Sequence, residues 1–443
     1  MNRELQPLLD EWAREAGVPG ASVGILHDGE ESLLTTGVSS VDTGQAVEPG
    51  TLFMIGSTSK TFTAAAVLAL VEDGVLDLDE PVAKYLPELR LADPVARDTI
   101  TTRHLLTHSA GFLGDVDIAS GWGSDALAAA AARFDELPQV FGVGEVFSYS
   151  NSGFLLAGRV AEVVSGLGYE DLVRERLLEP LDMTDSWFLP WDVLTRPHAV
   201  GHVLRDGKSE VAHDIGLTRS LNPGGGLWST AADQLRWARF LLTGQAKDAP
   251  PLSDATRALW RTPQRAAACP IEQIALGWMV TRHGDAEIVR HGGNVSNLQL
   301  SDFITVPAEN FAVTVLTNGV GGGVLGPKVV DWCLENLAGL PALEAKPVVP
   351  TDPAEYAGSF PTGDLGFEFT VRDGGLWARM VATDGTIETP PAFEVAFVAE
   401  DVVARAADTR RPLARFLRDE HGEVSAVEFG LRTAQRERSR LTA

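Results

Sequence analysis

Ser57-Thr58-Ser59-Lys60, running straight into Thr61-Phe62-Thr63-Ala64-Ala65-Ala66-Val67-Leu68-Ala69-Leu70, decides the reading of this chain. The apolar run predicts a buried helix, closed by Glu72-Asp73-Gly74. A serine at its start and a lysine three residues on share one face, one turn apart. The helix N-terminus adds a positive end and free backbone N–H groups beside the serine. A lysine buried there loses proton affinity by desolvation, so its neutral amine can take the serine proton near neutral pH. That pairing makes Ser57 an activated nucleophile. The bland alternative is a capping serine followed by a surface lysine. For so short a pattern, the rest of the chain must decide.

Two further signals follow. Ser148-Tyr149-Ser150-Asn151 contains Tyr-x-Asn just before the apolar helical run Leu155-Leu156-Ala157-Gly158-Arg159-Val160. Much later, Arg290-His291-Gly292-Gly293-Asn294 sets a His-Gly-Gly at the edge of an expected strand. Ser-x-x-Lys, then Tyr-x-Asn, then a basic residue before glycine is the ordered triplet of the penicillin-recognising serine enzymes. From about Val18 to about Leu340 the chain resembles the branch that holds class C β-lactamases, serine D,D-peptidases, D-aminopeptidases and related esterases. Thr51-Leu52-Phe53-Met54-Ile55-Gly56, the segment from Thr101 to Gly111 and the segment from Asn222 to Thr230 also look like pieces this branch carries.

The resemblance implies roles for these residues. Ser57 is expected to be the nucleophile, Lys60 its proton partner and Tyr149 the relay, because a phenol beside a cationic lysine shifts toward phenolate. Asn151 is expected to hydrogen-bond Lys60 and the substrate amide. His291 stands where β-lactamases carry lysine. A histidine near its ordinary pKa of about 6.5 is only partly charged, which argues against efficient β-lactam turnover. Gly292 and Gly293 are expected to let substrate backbone lie against the strand edge. From the family's topology, the backbone N–H groups of Ser57 and Asn294 would form the oxyanion hole.

Other histidines fall at helix metal-ligand spacing, His104 with His108 and His198 with His202. Neither pair has an accompanying carboxylate or third histidine in a recognisable arrangement, so no metal and no cofactor is expected. Gly224-Gly225-Gly226 lacks a phosphate-loop lysine and reads as a turn that lets backbones approach.

At 443 residues the chain exceeds one compact domain, and its 44% hydrophobic content suits a globular protein. Sixty-one acidic against 36 basic residues leave a net charge of −25, a surface that repels nucleic acid and anionic membranes. Cys269 and Cys333 are too few for a disulfide framework. The start of the chain is charged and amphipathic, unlike a signal peptide, and no apolar run reaches the ~18–20 residues of a membrane span. The expected setting is the cytoplasm.

An opening helix leads to a hairpin around His27-Asp28-Gly29-Glu30, and residues 57–200 read as mainly helical. Strand patterns return at Ile274–Val280, Glu287–Val289, Leu298–Val306 and Phe311–Asn318, before a helix over about 326–340. The expected fold is α/β and β-lactamase-like, an antiparallel sheet flanked by helices beside an all-helical lobe. The catalytic domain would span 1–342 and a proline-rich linker 343–354. Residues 355–443, with short alternating runs and tight turns, would form a small antiparallel, lipocalin-like β-barrel that bounds the site without supplying catalytic groups.

The expected function is a serine acyl-enzyme hydrolase acting on peptide-like, D-residue-containing amides or on esters. A second reading resembles the penicillin-binding-protein-type thioesterases, which take a nonribosomal peptide from its carrier protein and close it with the peptide's own amine. A third, a non-catalytic binding protein on the same fold, is disfavoured by the intact Ser57, Lys60, Tyr149 and Asn151.

Overall fold

The computed structural model describes residues 2–114, 118, 120–213, 217–349, 351–363, 365–382 and 391–437. Helix α1 (Asn2–Ala16) buries Leu5, Leu9 and Ala13, spaced four apart on one face. It leads into β1 (Gly20–His27) and β2 (Glu30–Gly37). Six further strands complete the sheet: β3 (Arg265–Ala266), β4 (Gln273–Ile274), β5 (Met279–His283), β6 (Ala286–Val295), β7 (Gln299–Val306) and β8 (Phe311–Thr317). Their order is β2-β1-β8-β7-β6-β5-β4-β3, antiparallel throughout, with Val23 opposite Val315 where the N-terminal hairpin meets the last strand. Consecutive residues of β1 and β8 serve two cores. Val23, Ile25, Val313 and Val315 face the cluster beneath α1, while Leu26, Ala312 and Leu316 face the larger core.

Helix α2 (Ser59–Glu72) runs through that larger core. Every residue from Ser59 to Leu70 is buried, so it is apolar on all sides rather than amphipathic. Phe62 stacks on Trp237 at 3.9 Å, and the Trp237 indole N–H donates to Thr61 Oγ1 at 3.1 Å. Helix α3 (Asn151–Ser165) packs beside it, capped by Ser150, whose Oγ accepts from the Gly153 N–H at 2.9 Å. Helix α4 (Gly322–Asn336) covers the sheet face shared with α1. It starts four residues earlier than sequence predicts, because Gly322 and Gly323 continue its first turn.

Ile274–Val280 is not one strand. Gly277 sits at φ +78°, its N–H donates to Leu106 O and Ala275 N–H donates to Trp278 O. A turn therefore separates β4 from β5, and the expected single strand is corrected to two.

The second sheet is an antiparallel meander of eight strands in chain order. They are β9 (Gly358–Pro361), β10 (Leu365–Arg372), β11 (Gly375–Ala382), β12 (Phe393–Ala399), β13 (Val402–Arg405), β14 (Asp408–Arg418), β15 (Val424–Phe429) and β16 (Arg432–Gln435). Past β16, Glu437 N–H donates to Ser359 O at 2.8 Å, so the sheet nearly closes into a barrel around Phe360, Phe369, Phe416 and Phe429. Residues 343–354 are no free spacer. Val349 N–H donates to Phe397 O at 2.7 Å, and Thr409 Oγ1 donates to Lys346 O at 2.9 Å, so the segment lies along the barrel. Pro350 of this stretch falls outside the described residues. Among the described residues, no helix is long and apolar enough to cross a membrane.

Candidate active site

The turn before α2 is built by its own hydroxyls. Ser59 Oγ donates to Gly56 O at 2.7 Å and Thr61 Oγ1 to Thr58 O at 2.8 Å, closing a short 3₁₀ turn over Gly56–Thr58. Ser301 on β7 donates to Ile55 O at 2.7 Å and lies 3.0 Å from Thr58 Oγ1, which pins the turn to the sheet. Gly56 adopts φ +51°, and a β-carbon there would meet Asn294 N at 2.9 Å. This contact sets the backbone amide of Asn294 beside Gly56, the residue before Ser57. A β-carbon on Gly293 would fall 1.9 Å from Ile55 O. The missing side chain of Gly293 therefore makes room for the protein's own turn.

Lys60 lies one turn beyond Ser57 and is fully buried. Its Nζ stands 3.1 Å from Ser57 Oγ, 2.7 Å from Asn151 Oδ1 and 2.5 Å from Gly224 O. The amide oxygen and the carbonyl can only accept, whereas the serine hydroxyl can also donate. An ammonium can donate to all three, and on losing a proton the amine keeps two N–H groups for the first pair and gains a lone pair for the hydroxyl. Lys60 Nζ is also 5.0 Å from the centre of the Tyr149 ring. The structure thus gathers Ser57, Lys60, Tyr149, Asn151 and the Asn294 backbone into one place, drawn from the turn before α2, α2 itself, the entry to α3 and β6.

β5 pairs with β6 only as far as Arg290, so His291 to Asn294 extend beyond β5 beside the Gly56 turn. The ring of His291 is 6.3 Å from that of Tyr149. It is 1% exposed, and burial, reinforced by the charge of Lys60, pushes its pKa down to about 3. The sequence expectation of a partly charged histidine is corrected, since the ring is neutral. Its Nδ1 lies 2.7 Å from Gly292 O, which only accepts, so Nδ1 carries the proton and Nε2 is a bare acceptor.

Sequence reasoning gives His108 no part in a metal site and assigns it no other role, yet its ring stacks on Tyr149 at 4.3 Å. Its Nδ1 accepts from Ser150 N–H at 3.0 Å, and burial followed by the charge of Lys60 holds its pKa well below the usual range. The other spaced histidines have their own bonds: His104 Nδ1 to the Thr101 cap, His198 Nδ1 to Arg196 O and His202 Nδ1 to Asn318 O. Three more contributors escape the sequence. Gly224 enters through a carbonyl that no side-chain pattern announces. Leu431 and Thr433 reach the Tyr149 segment from the barrel, and a leucine at a hairpin tip is the one visible signal.

Residues 2–329 match the family model described as Beta-lactamase. The chain belongs to the beta-lactamase family. Penicillin-binding protein 4 of Amycolatopsis lactamdurans is 34% identical over 371 residues, covering 80% of this chain and 96% of that protein. The solved structure of SurE superposes with a TM-score of 0.75 at 29% identity, over 98% of this chain and 99% of its own, and a second SurE structure contains D-Leu. D-amino acid amidase from Ochrobactrum anthropi SV3, complexed with D-phenylalanine, shares the fold at 23% identity and a TM-score of 0.63 over 76% of this chain and 99% of that chain. Members of this beta-lactamase family are generally serine hydrolases, and the hydroxyl–amine pair at Ser57 and Lys60 is the arrangement such chemistry needs.

Proposed function

We propose that the protein is a serine acyl-enzyme hydrolase for peptide-like amides bearing a D-residue, or for esters. The observation that carries this reading is the buried Lys60 amine, 3.1 Å from Ser57 Oγ and fixed by Asn151 and Gly224. Ser57 attacks the carbonyl while Lys60 takes its proton. The Ser57 and Asn294 amides receive the charge on oxygen, and Tyr149 returns a proton to the leaving group. Water then resolves the acyl-enzyme. His291 is neutral here and supplies an acceptor rather than a fixed charge for a substrate carboxylate. The D-Leu bound to SurE, a structure that matches across the barrel as well, supports a D-configured substrate. Within this reading, residues 1–342 carry the chemistry and 355–443 frame it.

The test is a fluorophosphonate probe read by intact mass. Wild-type protein should gain one adduct and Ser57→Ala none, with unchanged circular dichroism. An adduct that survives in Ser57→Ala would place the nucleophile elsewhere.

A second reading, closure of a peptidyl thioester by the peptide's own amine, is supported by the apolar cluster that Leu431 joins around Phe147, Tyr149 and Met279. Such a wall near the acyl group limits water. A linear peptide thioester with a C-terminal D-residue separates the two. Linear acid as the product supports the hydrolase; a dominant product lighter by one water supports the cyclase.

A further inference from the structure

Residues 147–150 run extended into α3, with Ser150 at φ −136° and ψ 116°. Along such a segment, successive residues turn their backbone groups to opposite sides. On one side, Ser148 N–H donates to His108 O at 2.9 Å and Ser150 N–H to His108 Nδ1 at 3.0 Å. On the other, Tyr149 N–H donates to Leu431 O at 2.9 Å, and Phe147 O accepts from Thr433 Oγ1 at 2.7 Å. Two alternate residues are held by His108, and the other two by the barrel turn between β15 and β16.

That turn is closely determined. Gly430 adopts φ +56° and Leu431 φ +68°, a conformation uncommon for any residue with a side chain. Strain of this kind persists where the surroundings over-determine it. The Leu431 side chain packs against the cluster of Phe147, Tyr149, Ile271 and Met279. Thr433 is 5% exposed, and its N–H donates to Ser148 Oγ at 3.3 Å. The Arg432 guanidinium lies 5.1 Å from the centre of the Tyr149 ring.

We propose that the β15–β16 turn is a positioning element of the active site, with Thr433 acting through Phe147 to hold the Tyr149 phenol in register with Ser57 and Lys60. The proposal rests on Tyr149 being the proton relay. A displacement of about 1 Å at such a group costs on the order of 10²-fold in rate. A residue whose contact served stability alone would leave the reaction untouched once the protein is folded.

The experiment uses the full-length chain and a short p-nitrophenyl ester. Thr433→Val keeps the shape and removes the donor to Phe147 O. We expect kcat to fall about tenfold or more, with KM within about twofold, and the pH profile of kcat to shift. Thr433→Ser, which keeps the hydroxyl, should restore both. In a Tyr149→Phe background the same substitution should add little further loss, since its effect passes through the phenol. Wild-type kcat and pH profile in folded Thr433→Val, or a fully additive loss in the Tyr149→Phe background, would overturn the proposal. Should Thr433→Val fail to fold, the comparison of Thr433→Ser with Thr433→Ala reads the same bond, and equal kcat in the two overturns it. Failure of the underlying reading looks different, because wild-type protein would then take no fluorophosphonate adduct at Ser57.

Discussion

At the residue scale, the candidate site joins the fully buried amine of Lys60 to the half-buried hydroxyl of Ser57. If Lys60 and Tyr149 move the proton, Lys60→Ala and Tyr149→Phe should each lower kcat by about 10²–10⁴-fold. Steady-state rates with a labelled ester check this, and a wild-type rate in either variant removes that residue from the mechanism. His291 makes a separate prediction about stability. Its folded pKa of about 3 lies below the ordinary value of 6.5. Between these two values the unfolded chain binds a proton that the folded protein does not. The His291 contribution to stability is therefore complete above about pH 6.5 and falls as the pH drops, by about 1.4 kcal/mol per unit while the gap lasts. Burial drives His108 in the same direction. Asp233, whose pKa burial raises to about 6, acts in the opposite sense. The measure is therefore the difference between wild type and His291→Asn in urea unfolding at pH 7, 6 and 5. The wild type should lose more stability on acidification; equal slopes would assign the acid sensitivity elsewhere.

At the element scale, α2 does two jobs. Its apolar sides anchor it in the core, and its few polar groups organise the neighbouring loop. Thr63 Oγ1 stands 2.7 Å from both Pro223 O and the Tyr169 hydroxyl. From the far side, Glu170 accepts from Asn222 Nδ2 at 2.7 Å and from two nitrogens of Arg219. Together these bonds aim the Gly224 carbonyl at Lys60. Thr63→Val should cost about 1–3 kcal/mol in urea unfolding, because the buried carbonyl of Pro223 loses its donor. It should also lower kcat, since the carbonyl next in the chain holds the amine. Unchanged kcat with reduced stability would confine the network to folding. Helix α2 was legible because continuous burial leaves a continuous apolar run. The break between β4 and β5 was not, because Gly277 turns the chain through a bond to Leu106, a residue far earlier in the chain.

At the scale of the whole molecule, the barrel docks onto the rest through specific contacts. Arg411 pairs with Asp331, Glu428 accepts from Cys269 N–H at 3.1 Å, and the β15–β16 turn reaches residues 147–149. The two large cores draw only on residues up to Leu340. A chain ending at Leu340 should therefore fold and retain Ser57, but label with fluorophosphonate at least about tenfold more slowly, because Tyr149 loses its outer support. Circular dichroism and labelling half-time check this together. Equal half-times in a folded, shortened chain would show that the barrel is not needed to hold Tyr149.

Short-range pattern determined the elements and the candidate set. Ser57 and Lys60 lie three apart, across the 3₁₀ turn and the first turn of α2 that continues it, so local helical geometry puts them on one face. Tyr149 and Asn151 open a second helix whose cap is local. The meander of the barrel was legible from alternating strands and tight turns, although β14 was hidden by its four arginines, of which Arg410 and Arg415 are exposed and Arg411 and Arg418 half-buried. Only the tertiary structure decided which backbone groups complete the site. The Gly224 and Leu431 carbonyls carry no side-chain signature, since every residue has the same peptide group, and the Asn294 amide is named beforehand only through the family resemblance. Only the tertiary structure, too, decided the charge of His291. Burial and the nearness of Lys60 set that charge, and both are properties of how distant segments pack.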